Sequence, residues 1–481
     1  MASRRRPPGI IALVVTGLSA VCVHGATITI RPDGTGDYLT IQQGIDAACD
    51  GDEVVLTPGC YTGPGNRDLD FSGKAITVRG SEPQTRSVAA ATVIDCAASE
   101  ADPHRGFTFD SGEGPDSIVA GLTITNGFAP VEAIWLNEWS VGGAVFCERT
   151  SPTIADSILV RNQARKAGGG IFCYDGSRPT VRDCLIAENH SFSGGAGMRI
   201  YWNSDPLVVN CVFSGNTAVE QGAGLCACYS SPTVVNSLFT GNTAGTFGGG
   251  LCNCFDNCSA TLIHCTFSGN SAGTHGGAVH NYYSHPTMTG CVLWGNAAPL
   301  GPEIAIRGTT FPATLTVAYS DVRGGAAAAF VDTGCTLVWG EGNLDADPGF
   351  VAGAGPDGDA GTWQDNDYHL AGGSPCIDAG DPSFVPRFST ADIDGQPRVL
   401  YAAVDLGADE FALPPDFDTD GDVDQEDFGF FQAGLTDPSR MPDGPAIADF
   451  DGDGDADQDD FGIFQRCMSG PDLPADPDCA N

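Results

Sequence analysis

Six segments of this chain repeat one another at a period near 27 residues, and that period constrains the fold more than any other feature. They read SPTIADSILVRN, RPTVRDCLIAEN, DPLVVNCVFSGN, SPTVVNSLFTGN, SATLIHCTFSGN and HPTMTGCVLWGN. Their closing residues, Asn162, Asn189, Asn216, Asn242, Asn270 and Asn296, are separated by 27, 27, 26, 28 and 26 positions. A second row keeps the same step: GGAV, GGGI, GAGM, GAGL, GGGL and GGAV end at Val145, Ile171, Met198, Leu225, Leu251 and Val279. A fixed period of this length means one supersecondary unit stacked on copies of itself. Each unit holds short runs of β-type alternation, broken by Gly, Pro and Asn, with no helical periodicity. Helical repeats are therefore excluded, and the framework of leucine-rich repeats is absent. What remains is a coil in which every turn supplies parallel strands, each about 4.8 Å above the last. Asn at one fixed position can then stack its amides along the axis, each satisfying the next. Asp156, Asp183, Asn210 and Asn236 mark a second polar row, broken at His264 and Gly290.

The segment CTFSGNSAGTHGGAV, Cys265 to Val279, resembles the FxxN and GGA[ILV] repeat of chlamydial polymorphic outer-membrane proteins. The entry YLTIQQGIDAACDGDEVVLTPGCYTG is similar to the opening of right-handed parallel β-helix proteins of the pectin-lyase-like superfamily. NLDADPGF, SPCIDAGD and VDLGADEF look like terminal turns of secreted bacterial members. The resemblance covers residues 26–411 and implies an all-β, right-handed parallel β-helix solenoid. Ile41 to Ala48 reads as an amphipathic helix that plugs the open end of the coil, where unpaired strand edges invite aggregation.

Charge divides the chain. The formal net charge is -39, which excludes nucleic acid and anionic membrane surfaces as partners and makes a cation the natural counterpart. From Asp405 onward, twenty-two acidic residues stand against only Arg440 and Arg466. Within this tail, Asp449, Asp451, Asp453, Asp455, Asp457 and Asp460 occupy positions 1, 3, 5, 7, 9 and 12 of an EF-hand loop, with Gly454 at position 6. Asp416, Asp418, Asp420, Asp422, Asp424 and Asp427, with Gly421, repeat the pattern 33 residues earlier. Hard carboxylate and carbonyl oxygens at this spacing suit Ca²⁺, so two Ca²⁺ sites are expected. The pair resembles a type I dockerin, which implies a small α-helical calcium module over 412–481 and a cohesin-type docking partner. Gln425-Glu426 and Gln458-Asp459 stand at positions 10 and 11, where that family often carries Ser or Thr.

Residues 1–25 carry three arginines, an apolar run from Ile10 to Val23 and then small residues, the order of a secretory signal peptide. No later run reaches the roughly 20 apolar residues of a membrane span. An exported chain, secreted or at the cell surface, permits disulfides. Five cysteine pairs sit one turn apart: Cys147 and Cys173, Cys184 and Cys211, Cys226 and Cys252, Cys228 and Cys254, Cys265 and Cys291. The rows alternating with Leu225 and Leu251 face outward and are read as disulfides; buried thiols and disulfides remain equal alternatives for the inward rows. Cys49 with Cys60, and Cys467 with Cys479, are expected as local pairs.

No motif names a catalytic residue. The NTD, GHG and RxK segments of related hydrolases are missing, and Arg178 and Arg182 match no lyase signature. Two surfaces are candidates for sugar binding. Tyr174, Tyr201, Trp202, Tyr229, Phe255, Tyr282 and Tyr283 form an aromatic row along the axis, able to stack on sugar rings or on each other. The insertion Gly127 to Val141 presents Trp135, Trp139, Glu132 and Glu138 as a lip beside Arg165 and Lys166, or as a flap over the first turns. His275, His280 and His285 read as scattered surface histidines. The expected function is a calcium-binding scaffold for polysaccharide or cell-envelope glycan; the alternative is a polysaccharide lyase or glycoside hydrolase.

Overall fold

The computed structural model describes residues 25–481 apart from 135–136, 256–257, 309, 354, 356–365, 419, 437–449, 451–457, 472, 474, 476–478 and 480–481. The leader at 1–24, Trp135, and Asp449, Asp451, Asp453, Asp455 and Asp457 lie outside the described residues, as does the side chain of Glu138.

The chain winds into a parallel β-solenoid. Each turn contributes one strand to each of three long sheets. One has twelve strands, from Thr27–Ile30 to Thr336–Trp339, and two have ten, from Leu69–Asp70 to Phe330–Val331 and from Gly59–Thr62 to Asp321–Val322. Within all three, neighbouring strands are parallel and residues one repeat apart are paired in register, as in Leu225↔Leu251 and Phe213↔Phe239. A fourth, five-stranded sheet of two-residue strands runs from Gln163–Ala164 to Ser271–Ala272.

The repeat residues line the interior because a fixed register sends equivalent positions to the same face on every turn. Phe213, Phe239 and Phe267 stack with ring centroids 4.7 and 4.6 Å apart. Three residues after each of them stands the asparagine. Each Asn Nδ2 from Asn162 to Asn270 donates to the Oδ1 of the next, at 2.8 to 3.1 Å. The same Oδ1 accepts the preceding asparagine's backbone N–H, so the ladder also satisfies turn amides that no strand pairs. The ladder ends on buried Glu303, whose carboxylate accepts both the N–H and the Nδ2 of Asn296. The glycine before each strand allows the turns to close up: a Cβ on Gly224 would lie 2.5 Å from Gly250 O.

The second polar row has a backbone cause. Asp156, Asp183, Asn210, Asn236 and His264 all have φ between 45° and 55°, and Gly290 has φ 68°. That left-handed turn favours Asn, Asp and Gly, so Gly290 continues the row rather than breaking it, and His264 occupies it in the same conformation.

Helix α1 (Ile41–Ala47) is capped by the Thr40 hydroxyl and buries Ile41, Gly44 and Ile45 against the first turns. Helices α2 (Arg86–Ala91) and α3 (Gly325–Ala328) are short surface turns. After the last strands, residues 366–411 run back along the outside of the solenoid. There Ala391 O accepts from Asn236 Nδ2, Gly407 donates to Gly290 O, Ala408 N–H donates to Thr266 Oγ1, and Tyr368 and Thr240 share a hydroxyl contact of 2.6 Å. Buried Arg398 pins this segment: it donates to Glu410 at 3.1 Å and to the carbonyls of Asp405 and Gly407. Helices α4 (Gln425–Thr436) and α5 (Gln458–Cys467) follow, and Phe431, Phe464 and Cys467 share one apolar cluster with Val292 of the solenoid and with Leu406, Phe411 and Leu413 at the end of the returning segment.

The cysteines correct several expectations. Cys228–Cys254 and Cys467–Cys479 are bridged. Cys226 and Cys252 are free thiols, and both lie fully buried on the sheet face away from the interior. The inward pairs Cys147/Cys173, Cys184/Cys211 and Cys265/Cys291 are free and packed in the core. Cys49 is disulfide-bonded but Cys60 is free and exposed, so those two do not pair. His280 is buried at 2% exposure and is no surface histidine; Phe247 and His275 pack against its ring.

Candidate functional site

The left-handed row is covered over only part of its length. The returning segment lies on Asn236, His264 and Gly290, and leaves Asp156, Asp183 and Asn210 facing a groove of about 1150 Å³. Arg182 lies along this floor, 2.7 Å from Asp183 and 3.6 Å from Asp156. Val212 and Leu238 add apolar floor, Arg86 enters from α2, and Asp367, His369, Asp394 and Asp409 form the wall contributed by the returning segment.

Burial in the groove raises the Asp156 carboxyl, against the attraction of Arg182. On the opposite wall His369 hydrogen-bonds Asp394 at 2.9 Å and contacts Asp367. The Asp394 hydrogen bond leads the causes that lift His369 to about 10, so it is a cation at neutral pH. Asp409, almost fully buried and accepting from Leu370 N–H, is pushed up to about 6 by desolvation. Donor atoms of His369, Asp394 and Asp409 lie within 4.8 Å of one another. The groove therefore presents carboxylates on both sides, with one guanidinium fixed between two of them.

The aromatic row lies along another edge of the coil, at the ends of the strands Ile171–Tyr174 and Leu225–Cys228. Its rings rest on each other. Tyr174 stacks on Tyr201 at 6.1 Å, Trp202 leans on Tyr229 at 5.8 Å, Tyr229 stacks on Phe255 at 5.0 Å, and Phe255 meets Tyr282 edge-on. Tyr283 touches Tyr282 at 3.9 Å. Trp139 joins the row at Tyr201, 5.6 Å away, with Lys166 over its ring. The insertion is an antiparallel hairpin, Val131–Ile134 with Asn137–Ser140. Glu132 pairs at 2.7 Å with Arg105, a buried guanidinium that also donates to Val141 O, while Trp139 of the same hairpin lies beside Lys166. Arg165 pairs instead with Glu100. The hairpin is thus anchored through Glu132 to Arg105.

In the acidic tail, carboxylate oxygens of Asp416, Asp418 and Asp427 converge within 4.8 Å, and those of Asp422, Asp424 and Asp427 do the same. Asp416 accepts from the N–H groups of Asp420 and Gly421, and Asp427 reaches back to accept from Phe417. Gly421 has φ 96° and its Cβ position would lie 2.3 Å from Leu400 O, so only glycine fits. Burial, then the charges of Asp427 and Asp420, raise Asp416 to about 7. In the second loop Asp460 accepts from Phe450 N–H at 2.6 Å, the counterpart of the Asp427 to Phe417 bond. An all-oxygen set of this kind suits a hard cation.

Arg182 was visible in the sequence only as part of RPTVR, Asp409 only as part of the terminal-turn phrase VDLGADEF, and His369 and Asp394 carry no motif. The signal that could have found them is the αL row itself, whose Asx residues had to project from one edge.

A family described as a right handed beta helix region matches residues 136–253, and a Chlamydia polymorphic membrane protein repeat matches residues 264–282. The chain is a right-handed parallel β-helix solenoid. Among solved structures it is similar to the pectate lyase Pel9A, with 14% identity over 81% of this chain and 98% of that one, at a TM-score of 0.49. It is also similar to the PL6 family alginate lyase AlyGC, with 12% identity over 76% and 60% at 0.34. Pectin methylesterase from carrot gives 12% over 72% and 96% at 0.30. No curated protein matches the sequence. Among the described residues no helix is long and apolar enough to cross a membrane.

Proposed function

We propose that this is an exported, extracellular or cell-surface protein whose solenoid binds polysaccharide and whose tail binds Ca²⁺. The observation that carries the reading is the groove over Asp156, Arg182, Asp183 and Asn210, a trough of mixed polar and apolar lining on the coil, walled by a docked segment. Carboxylates at the turn spacing accept hydrogen bonds from sugar hydroxyls, and the acidic lining favours a neutral chain over a polyanion. Asp416, Asp418, Asp420, Asp422, Asp424 and Asp427, and their repeats through Asp460, would hold two Ca²⁺ ions. The neutralised loops then order α4 and α5 as a dockerin-like module that tethers the solenoid to a cohesin-type partner. A glycan array probed with the full chain tests the binding reading: retention of at least one neutral polysaccharide, lost in Arg182→Ala, supports it. Retention of none contradicts it.

One observation favours a second reading, a polysaccharide lyase or glycoside hydrolase. His369 and Asp409 meet at the groove wall, and Asp409, raised to about 6, can hold a proton near neutral pH. Release of unsaturated or reducing ends from polysaccharide by the wild type, abolished in Asp409→Asn, would establish this reading over the scaffold.

A further inference from the structure

Outside the groove and the acidic tail, one cluster of chemistry-bearing side chains is unexplained. On the strands Leu225–Cys228 and Leu251–Cys254, the register pairs Cys226 with Cys252 and Cys228 with Cys254. Alternation turns all four away from the interior, where they form a separate cluster ringed by Tyr201, Tyr229, Phe255 and Tyr282. The sulfurs of Cys226, Cys252 and Cys254 lie within 4.8 Å of one another, with Cys226 and Cys254 3.9 Å apart. From the next turn His280, paired in register with Cys252, brings Nδ1 to 3.5 Å from the Cys252 sulfur. From the preceding turn Arg199 donates to the Cys226 sulfur at 2.8 Å. Arg199 is only 7% exposed, and its buried charge meets the Cys226 sulfur and the Tyr201 ring, with no carboxylate ion pair among the described residues. His280 Nε2 is buried without a hydrogen-bond partner.

Two of these contacts have the spacing of neighbouring ligands on a tetrahedral ion. Zn–S of about 2.3 Å and Zn–N of about 2.0 to 2.1 Å require S···S of about 3.8 Å and S···N of about 3.5 to 3.6 Å. The cluster offers 3.9 Å and 3.5 Å. His280 touches the Cys252 sulfur and would have to shift its ring to join the other two. We propose that Cys226, Cys252, Cys254 and His280 form a Cys₃His site for Zn²⁺ or a similar borderline-soft divalent ion, stapling three successive turns of the solenoid. Three thiolates and a neutral imidazole around Zn²⁺ leave one net negative charge. The Arg199 guanidinium, donating to a ligating sulfur, cancels it.

The Cys228–Cys254 bridge and the metal compete for one sulfur. Loading therefore begins with reduction of the bridge by an external dithiol. Its two thiols pass two electrons and two protons to the disulfide and close into a disulfide themselves, releasing Cys228 and Cys254 as thiols. Zn²⁺ then displaces the thiol protons of Cys226, Cys252 and Cys254. The site is a redox-gated staple: bridged under oxidising conditions, metal-clamped under reducing ones.

The test uses Co²⁺ as a spectroscopic probe on the full chain. Cys228→Ser frees Cys254 permanently, so this variant takes up one equivalent with sulfur-to-cobalt charge-transfer absorption and tetrahedral d–d bands, without reductant. Reduced wild type does the same, and Zn²⁺ bleaches both spectra. Oxidised wild type, Cys226→Ser, Cys252→Ser and Cys254→Ser show no such bands. His280→Ala weakens Co²⁺ binding at least tenfold. Absence of thiolate bands in both Cys228→Ser and reduced wild type overturns the proposal. So does a spectrum that survives Cys226→Ser, or a Cys226–Cys252 disulfide in the protein as isolated by peptide mapping.

Discussion

Replacing Asn216 by Ala tests what holds the turns in register. The Asn216 amide makes four hydrogen bonds in a dry interior. Its Oδ1 accepts from Asn189 N at 3.0 Å and from Asn189 Nδ2 at 3.1 Å; its Nδ2 donates to Ile186 O at 2.8 Å and to Asn242 Oδ1 at 2.9 Å. A buried hydrogen bond contributes roughly 1 kcal/mol net, and a donor stranded by loss of its partner costs about 1 to 3 kcal/mol. With two donors of Asn189 stranded, the loss is about 2 to 6 kcal/mol, beyond the roughly 1 kcal/mol of an ordinary substitution. Urea unfolding followed by far-ultraviolet circular dichroism gives the shift in midpoint, and hydrogen exchange at the turns around residue 216 shows whether the damage is local, as expected for a quasi-one-dimensional coil. Asn216→Asp sharpens the test: it keeps the acceptors for Asn189 but turns a carboxylate oxygen toward Ile186 O and Asn242 Oδ1, so its stability should recover as acid protonates it. An Asn216→Ala loss below about 1 kcal/mol, with an unchanged m-value, would refute the ladder as an energetic element.

Other outcomes follow from the same structure. Arg398→Met leaves Asp405 and Glu410 buried without their cation; removing one partner of such a group costs about 3 to 5 kcal/mol, and limited proteolysis should then cut within 366–411. Glu303, raised by desolvation from 4.5 to about 7, holds its proton more tightly when folded. Its contribution is therefore complete below about pH 4.5 and is lost as pH rises through about 7, a slope that Glu303→Gln should remove from melting curves. Calorimetry with Ca²⁺ should find two sites, one of which disappears in Asp416→Ala; at a hundred times the dissociation constant each ion adds about 2.7 kcal/mol to the stability of the tail.

Much of the solenoid was legible because its constraints are periodic. One register fixes the Phe213–Phe239–Phe267 stack, the asparagine ladder and the turn glycines together, so each repeat in the sequence reports the same geometry. The plug helix at Ile41–Ala47 was readable for a similar reason, since Thr40 caps it and Ile41 and Ile45 lie one turn apart on one face. The groove was not legible. Asp156 and Asp183 belong to the repeats, but His369, Asp394 and Asp409 reach them from more than 180 residues away through a segment whose path no local pattern fixes. Its anchor is Arg398 buried among carboxylates, a contact set by tertiary packing alone. The cysteines failed in part for a related reason: turn spacing says which sulfurs are neighbours, whereas burial beside Gln221 and among Tyr201, Tyr229, Phe255 and Tyr282 decides what surrounds them. The partner of Glu132 was not legible either, because Arg105 lies outside the repeats.

The central claim is that the solenoid binds glycan in the groove over the left-handed row. Isothermal titration of the best glycan array hit into wild type, Arg182→Ala, Asp183→Ala and Tyr229→Ala measures it most directly. The account predicts at least tenfold weaker binding for Arg182→Ala and Asp183→Ala, with Tyr229→Ala unchanged. Wild-type affinity in both groove variants, with loss in Tyr229→Ala, would contradict it and move the site to the aromatic row.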